Sequence, residues 1–331
     1  MEQTRRRFLT ASATLGTGAL AGCSTVTDAI PFIGGGGLGD YEQWVYEPDR
    51  FASSDGGGDF GDENVALSLF AINQQSIYEN RKDLYPSTYN SLSTNFASNT
   101  GILPRNVSLL LSLPEGLVLS GSFERSEVTA ELEDDSNTEY ESDGSYSGFD
   151  LYVRSEREES PDAFGVSGNA VVRGQRVDNF GSGSDTVPAT DVVEGIIDTE
   201  RGSANRYVNA NDAFGTLVSS LGGSSFLSAT VRNEPISADD ADEDSGEFEG
   251  LVASGQASSI NGAKTDSQSV FVFDSQGDAD TGSVDDYIEY NDNSGQFARA
   301  RNVEVSQSGR TITVSVTSDT YTSPNLGTGG Q

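Results

Sequence analysis

An α+β fold of mainly antiparallel sheet with short helices is what this 331-residue sequence predicts, and three observations carry that expectation. Apolar residues alternate with polar ones at Phe149, Leu151 and Val153, and again in Val303-Glu-Val305 and Ile312-Thr-Val314-Ser-Val316. That two-residue period belongs to strands with one buried face. Turn pairs, Gly168-Asn169 and Ser308-Gly309, join such runs at hairpin spacing. Hydrophobic residues at 34%, with 16 Phe and 12 Tyr, supply a packed core that a disordered acidic chain would lack.

The chain opens on an address. Thr4-Arg5-Arg6-Arg7-Phe8-Leu9 fits the twin-arginine export pattern of Ser or Thr, two arginines, any residue and Phe-Leu, so Arg5, Arg6, Phe8 and Leu9 are the residues to be recognised. The weakly apolar stretch from Phe8 to Leu20 is shorter than the roughly 20 apolar residues that span a bilayer core of about 30 Å. It ends in the lipobox Leu20-Ala21-Gly22-Cys23, whose small residues admit a peptidase to the bond before the cysteine. The thiol of Cys23 then takes a lipid as a thioether. Residues 1–22 are therefore expected to be a signal peptide, and the membrane a partner through lipid on Cys23.

Residues 23–62 read as a lipidated, flexible tether and docking segment, with glycines at 34–37, 39 and 56–58. Gly34, Gly36 and Gly39 spell a dinucleotide-type G-x-G-x-x-G, but that site needs a buried strand before it and a helix after it. Tyr41, Trp44 and Tyr46 can stack on a sugar or dock the first ordered segment onto the core, and docking is the expectation. A first α+β domain is expected over 63–223. Val65–Ile72 reads as a buried strand, Ser87–Phe96 as a helix, and Val107–Leu113 as a strand or a short helix. Leu117–Phe123 reads as a strand, Glu124–Leu132 as a charged helix, and Ala163–Val166 with Ala170–Val172 as a hairpin. Asp191–Asp198 and Asn211–Leu221 read as helices, the second closed by Gly222-Gly223. A smaller α+β or mainly β domain is expected over 224–320. Its strands are Phe226–Val231, Leu251–Ala257 and Ser269–Phe273, followed by a helix over Val284–Tyr290 and the last hairpin. A polar, glycine-rich tail follows at 321–331. Strand, short acidic helix, strand, strand occurs from Leu117 to Val153 and again from Val270 to Val316, pointing to two related halves.

The exported start, the lipobox, Tyr41-Glu-Gln-Trp44, Leu119-Ser-Gly-Ser-Phe-Glu124 and Ile197-Asp-Thr-Glu-Arg-Gly202 together resemble a group of haloarchaeal lipoproteins. The resemblance covers most of the mature chain and implies location and fold, without an assigned activity. Charge agrees with it. The formal net charge is −33, and Lys82 and Lys264 are the only lysines among 19 basic residues. Removing residues 1–22 takes away Arg5, Arg6, Arg7 and Glu2 and leaves the rest more acidic still. Such a surface repels itself in dilute buffer. In molar salt the Debye length falls to about 3 Å and neighbouring carboxylates hardly interact.

The same acidity excludes nucleic acid as a partner. With no histidine, imidazole bases, catalytic triads and HExxH sites are absent. With the sole cysteine committed to lipid, thiol chemistry is absent too, and the sequence offers no cofactor site. What survives is paired-carboxylate hydrolysis or an oxygen-ligand cation site. Asp278-Ala-Asp280-Thr-Gly282-Ser-Val-Asp-Asp286-Tyr-Ile-Glu289 approaches a calcium loop but has Gly and Ser where Asp or Asn and then Gly belong. It reads as a solvated loop leading into a helix, and the acidic run Asp239–Asp244 as a hydrated loop. Asn106-Val-Ser108 is a glycosylation sequon that surface location permits and its apolar neighbours oppose. The functional expectation is a lipid-anchored surface protein acting as a binding or envelope-associated structural module. Its alternatives are an extracellular carboxylate-dependent hydrolase and a solute-binding lipoprotein of a transporter. The charge predicts that the fold is lost below a few hundred millimolar salt. Far-UV circular dichroism should collapse on dilution, and an unchanged spectrum in dilute buffer contradicts this.

Overall fold

The computed structural model describes residues 41–51, 64–93, 100–134, 140–154, 157–178, 186–292, 297 and 299–323. The export residues Arg5, Arg6, Phe8 and Leu9, the lipobox Leu20-Ala21-Gly22, Cys23, the glycine clusters at 34–39 and 56–58, the stretch 94–96 of the expected second helix and the tail from 324 lie outside the described residues.

In the first half of the chain, β1 (Val65–Ile72) leads through α1 (Gln74–Glu79) and α2 (Pro86–Ser93) to β2 (Val107–Leu113) and β3 (Gly116–Gly121). Then come α3 (Arg125–Asp134), β4 (Glu141–Tyr146), β5 (Phe149–Val153), β6 (Asp162–Val166) and β7 (Ala170–Gln175). Next, α4 (Ala189–Arg201), α5 (Tyr207–Ala210) and α6 (Asp212–Leu221) precede β8 (Phe226–Arg232), β9 (Leu251–Asn261) and β10 (Lys264–Phe273). The chain closes on α7 (Thr281–Tyr290), β11 (Arg301–Ser308) and β12 (Thr311–Asp319).

All twelve strands form one sheet in the order β11-β12-β10-β9-β8-β1-β2-β3-β7-β6-β5-β4, antiparallel at every step. The pattern read twice in the sequence is one chain path used at both ends. From β3 the chain passes through α3 to the edge strand β4 and meanders back through β5 and β6 until β7 pairs with β3. From β10 it passes through α7 to the edge strand β11 and returns in β12 to pair with β10. The position 223/224, read as a domain boundary, falls in the turn between α6 and β8, and β8 enters mid-sheet between β1 and β9.

One face of the sheet is continuously apolar. Leu67, Leu69 and Ala71 of β1, Leu111 of β2, Leu227 and Val231 of β8 and Val270 and Val272 of β10 all contribute to a single cluster there. The helices α4 and α6 cover it. Val192, Val193, Ile196 and Ile197 of α4 are fully buried, each stabilising the fold by about 1.5–3 kcal/mol relative to exposure. Asn211 caps α6, its carboxamide oxygen accepting from Phe214 N at 2.8 Å, while Phe214, Leu217 and Leu221 face the sheet. Close approach needs glycine where each helix lands. A Cβ on Gly174 would sit 2.6 Å from the Ala189 carbonyl, and one on Gly255 2.7 Å from Leu221 Cδ1. The other face carries two separate clusters. One gathers α1, α2 and α3 over β2, β3 and β5–β7, and the other gathers α7 and Phe248 over β10 and β12.

The structure adds elements that the sequence reading lacked. β4 is polar and largely exposed along its length, so no period marks it. β9 and β10 run on to Asn261 and from Lys264 through polar residues, because their buried hydroxyls pair with one another: Ser258 with Ser267 at 2.8 Å, and Thr265 with Thr320 at 3.0 Å. Val107–Leu113 is a strand.

Tyr41, Trp44 and Tyr46 are buried in the apolar cluster under α4, as the docking reading expects, which leaves none of them as a sugar platform. Val45 O accepts from Tyr207 N at 2.9 Å, and the Phe51 ring meets Tyr46 edge-on at 4.7 Å. The Tyr46 hydroxyl donates to the Glu115 carboxylate in the β2–β3 turn and accepts from the Glu115 amide at 3.3 Å. Burial raises the Glu115 carboxyl above its ordinary 4.5, with the Tyr46 hydrogen bond offsetting part of the rise. The folded chain therefore holds this proton more tightly than the unfolded one. The stability it contributes is complete below about pH 4.5 and is lost as pH rises through the raised folded value. Glu115→Gln, which keeps an acceptor for Tyr46 but does not titrate, should gain stability relative to wild type as pH is raised from about 4.5 towards about 7. Urea midpoints across that range check this, and a difference independent of pH contradicts it.

Candidate functional site

On the two-cluster face, the strip between the clusters is polar. Direct pairing puts Ser228 opposite Gln256, Thr230 opposite Ser254, and Ser269 opposite Gln256, so these side chains share one face of three neighbouring strands. They form the floor of a groove of about 190 Å³. Its wall is Ser245-Gly246 and Tyr287, with Phe271 at its foot.

The wall comes from the acidic segment that the sequence reading left as a hydrated loop. Its carboxylates are exposed, but it is tied down along its length. Phe248 is buried, meeting Phe271 edge-on at 5.1 Å and Tyr287 at 5.7 Å. Arg232 holds Glu247 at 2.9 Å, Ser283 donates to Glu243 at 3.0 Å, and Asn291 donates to the Asp244 carbonyl at 3.1 Å. Gly246 takes a φ of +80°, and a Cβ there would lie 3.2 Å from the Tyr287 ring, so the loop closes against tyrosine only with glycine. Tyr287 is further bracketed by Phe297 at 5.5 Å. Among the described residues, no ionisable group other than the Tyr287 hydroxyl lines the groove, although the chain carries a net −33. The Gln256 amide nitrogen is buried without a hydrogen-bond partner.

A second concavity of about 470 Å³ lies beyond the end of α4, lined by Gly202, Ala204, Asn205, Arg206, Asn209 and Ala210. Arg206, the one cation among the described lining residues, is occupied in closing the helix, donating to the Thr199 carbonyl at 3.1 Å and to the Glu200 carbonyl at 2.7 Å. Asn205 donates to Glu47 at 3.4 Å.

The residues of the calcium-like stretch are spent on local structure. Asp278 accepts from Ser275 N at 3.1 Å and Ser275 Oγ at 2.8 Å, Asp280 caps α7 through Gly282 N at 2.8 Å, and everything from Thr281 to Glu289 is helical. Among the described residues no group of three or more side chains is placed to hold a metal ion. Asn106 is half-buried at the end of a 3₁₀ turn, Pro104–Asn106, and Ser108 is exposed and donates to the Ser120 carbonyl at 3.1 Å. No helix among the described residues is long and apolar enough to cross a membrane.

Asp162, on β6, is the most deeply enclosed carboxylate cluster. Its Oδ2 accepts from Tyr140 at 3.0 Å, Arg154 at 3.1 Å and Arg173 at 2.7 Å. Its Oδ1 sits 3.0 Å from Arg154 Nη2 but outside hydrogen-bonding angles, an attraction that is coulombic only. Two guanidiniums and a phenol converge on Oδ2, so the group holds β5, β6 and β7 in register. Breaking a buried pair costs about 3–5 kcal/mol. Because Arg154 and Arg173 remain 37% and 35% exposed and can rehydrate, Asp162→Ala should fall at the low end, about 3 kcal/mol. The denaturant midpoint in high salt measures it, and a change below about 0.5 kcal/mol contradicts the assignment.

No family model matches the chain, and no curated protein does. Solved structures that resemble it include crystal form III of TP0453 at 9% identity and a TM-score of 0.42, form I at 13% and 0.40, and form IV at 10% and 0.43. They cover 78%, 81% and 84% of this chain and 91%, 94% and 95% of their own.

Proposed function

We propose that this chain is a lipid-anchored surface protein, exported by the twin-arginine route, cut before Cys23 and carrying a binding module on the tether that follows. The observation that carries the reading is the register of two independent patterns, Arg5-Arg6 with Phe8-Leu9 and then Leu20-Ala21-Gly22-Cys23, ahead of a glycine-rich stretch. Burial of Tyr41, Trp44 and Tyr46 supports it, because it docks the segment after those glycines onto the core. A thioether lipid on a leading cysteine attaches a chain to a membrane without a spanning helix, and a second signal or a double acyl group makes such attachment stable.

Binding is favoured over hydrolysis by the chemistry of the concavities. Glycoside hydrolysis needs two carboxylates about 5–10 Å apart flanking the scissile bond. Among the described residues neither concavity has a carboxylate in its lining, and Oδ2 of Asp162 is engaged by Arg154, Arg173 and Tyr140. A transporter's solute-binding protein would close two lobes around a cleft, whereas here a single hydrogen-bonded sheet runs through both halves of the fold.

Cys23→Ser should move the protein from the membrane fraction to the medium in cells that export it. Retention in the membrane fraction, resistant to high salt, contradicts the anchor.

A further inference from the structure

We propose that the groove over β8, β9 and β10 binds the ring of a neutral sugar, its hydroxyls meeting Ser228, Thr230, Ser254 and Gln256 and its carbon face lying against Tyr287. This rests on the reading of the chain as a surface binding module and names that module's ligand class.

The lining decides the class by what it contains and what it lacks. Among the described residues that line it, no cation is present to hold a phosphate, sulfate or carboxylate, and no carboxylate to hold an amine or a metal ion. A lining without charged side chains gives a charged ligand of either sign no partner to offset its desolvation. An apolar ligand fails for a different reason: it would strip water from the hydroxyl floor and return no hydrogen bond. Hydroxyl and carboxamide groups both donate and accept, which matches a polyol, itself donor and acceptor at every hydroxyl. Gln256 sharpens the point. Its amide nitrogen is buried without an acceptor, a cost that a ligand hydroxyl would remove.

Aromatic geometry supplies the second half of the site. Tyr287 is fixed by Phe248 at 5.7 Å and Phe297 at 5.5 Å, both edge-on, and by the close passage of Gly246. A ring held in this way meets the apolar face of a sugar with little rotamer freedom to lose. The volume of about 190 Å³ lies below the roughly 300–1,000 Å³ of drug-sized pockets and suits a single ring. An extended peptide is disfavoured because β8, β9 and β10 are interior strands whose ladder bonds are already made, leaving no edge for an added strand.

The test titrates the full chain, purified in molar salt, with the methyl glycosides of glucose, galactose and mannose, using isothermal calorimetry and ligand-observed NMR. Glucuronate, glucosamine and a neutral tetrapeptide serve as comparisons. At least one neutral glycoside should bind saturably, and the charged sugars about tenfold more weakly or not at all. Gln256→Leu, similar in volume, should weaken binding about tenfold. Thr230→Val, which keeps the shape of the floor, should weaken it less while leaving the melting temperature within a few degrees of wild type. Absence of saturable binding by every neutral glycoside overturns the proposal, as does undiminished binding in Gln256→Leu. Tighter binding of a charged sugar or of the tetrapeptide overturns the sugar assignment while leaving the binding module in place. The membrane reading stands or falls separately on the Cys23→Ser fractionation.

Discussion

One constraint governs this molecule: a twelve-stranded antiparallel ladder has one face covered without a break from β5 to β10, while the other is covered in separate patches. Everything on the covered face follows from apolar continuity. Leu69 of β1, Leu111 of β2, Leu227 of β8 and Val270 of β10 belong to one cluster, and α4, α6 and the segment Tyr41–Trp44 lie on it. Glycine at 174 and 255 lets the two helices approach the backbone closely enough to exclude water. Among the described residues, the helices on the opposite face leave part of it open. The helices α1–α3 cover one part and α7 with its acidic loop another, and between them hydroxyl groups replace aliphatic side chains. The groove therefore arises from a gap in helix coverage, and its floor is as rigid as the centre of the sheet.

The same ladder explains how so acidic a chain keeps its edges apart. Both outer strands, β4 and β11, are polar and exposed and carry irregular backbone, with Gly144 at φ +92° and Asn302 at φ +51°. Register shifts interrupt the pairing of both strands. Polar side chains and bulges of this kind discourage edge-to-edge association. Arginine is concentrated where strands or helices must be held together. Arg157 reaches Glu194 at 2.7 Å and Asp191 at 3.4 Å on α4, Arg125 pairs with Asp150 between α3 and β5, and Arg310 meets Asp212 at 2.5 Å. Its planar fork favours such paired contacts over lysine's point charge.

Much of this was legible in the residues. β1, the β6–β7 hairpin and the β11–β12 hairpin lie where the apolar runs and turn pairs place them, although β11 is exposed along nearly all its length and β6 is buried at every residue, and α6 lies between the Asn and Gly that cap it. The repeated strand–helix–strand order corresponds to a helix that carries the chain to an edge strand at each sheet end, with four strands leading back at one end and two at the other. Where the signal failed, burial had been replaced by hydrogen bonding. β4 has no buried face, and the inner halves of β9 and β10 bury serine and threonine in pairs such as Ser258 with Ser267, which composition presents as loop. The groove was illegible for the same reason. Ser228, Thr230, Ser254 and Gln256 are unremarkable polar residues scattered over nearly thirty positions, and only strand pairing sets them side by side. Alternation within β8, where Leu227, Ala229 and Val231 are buried between half-exposed Ser228 and Thr230, was the one available hint that this face meets solvent.

Native-state hydrogen exchange tests most directly the claim that a single sheet supports the groove. Amides of β1, β8 and β9 should exchange only on global unfolding, with one shared opening free energy spanning both halves of the chain, while β4 and β11 open first. Two distinct opening free energies separating residues before 223 from those after 224 would contradict a continuous ladder and remove the rigid floor on which the groove depends.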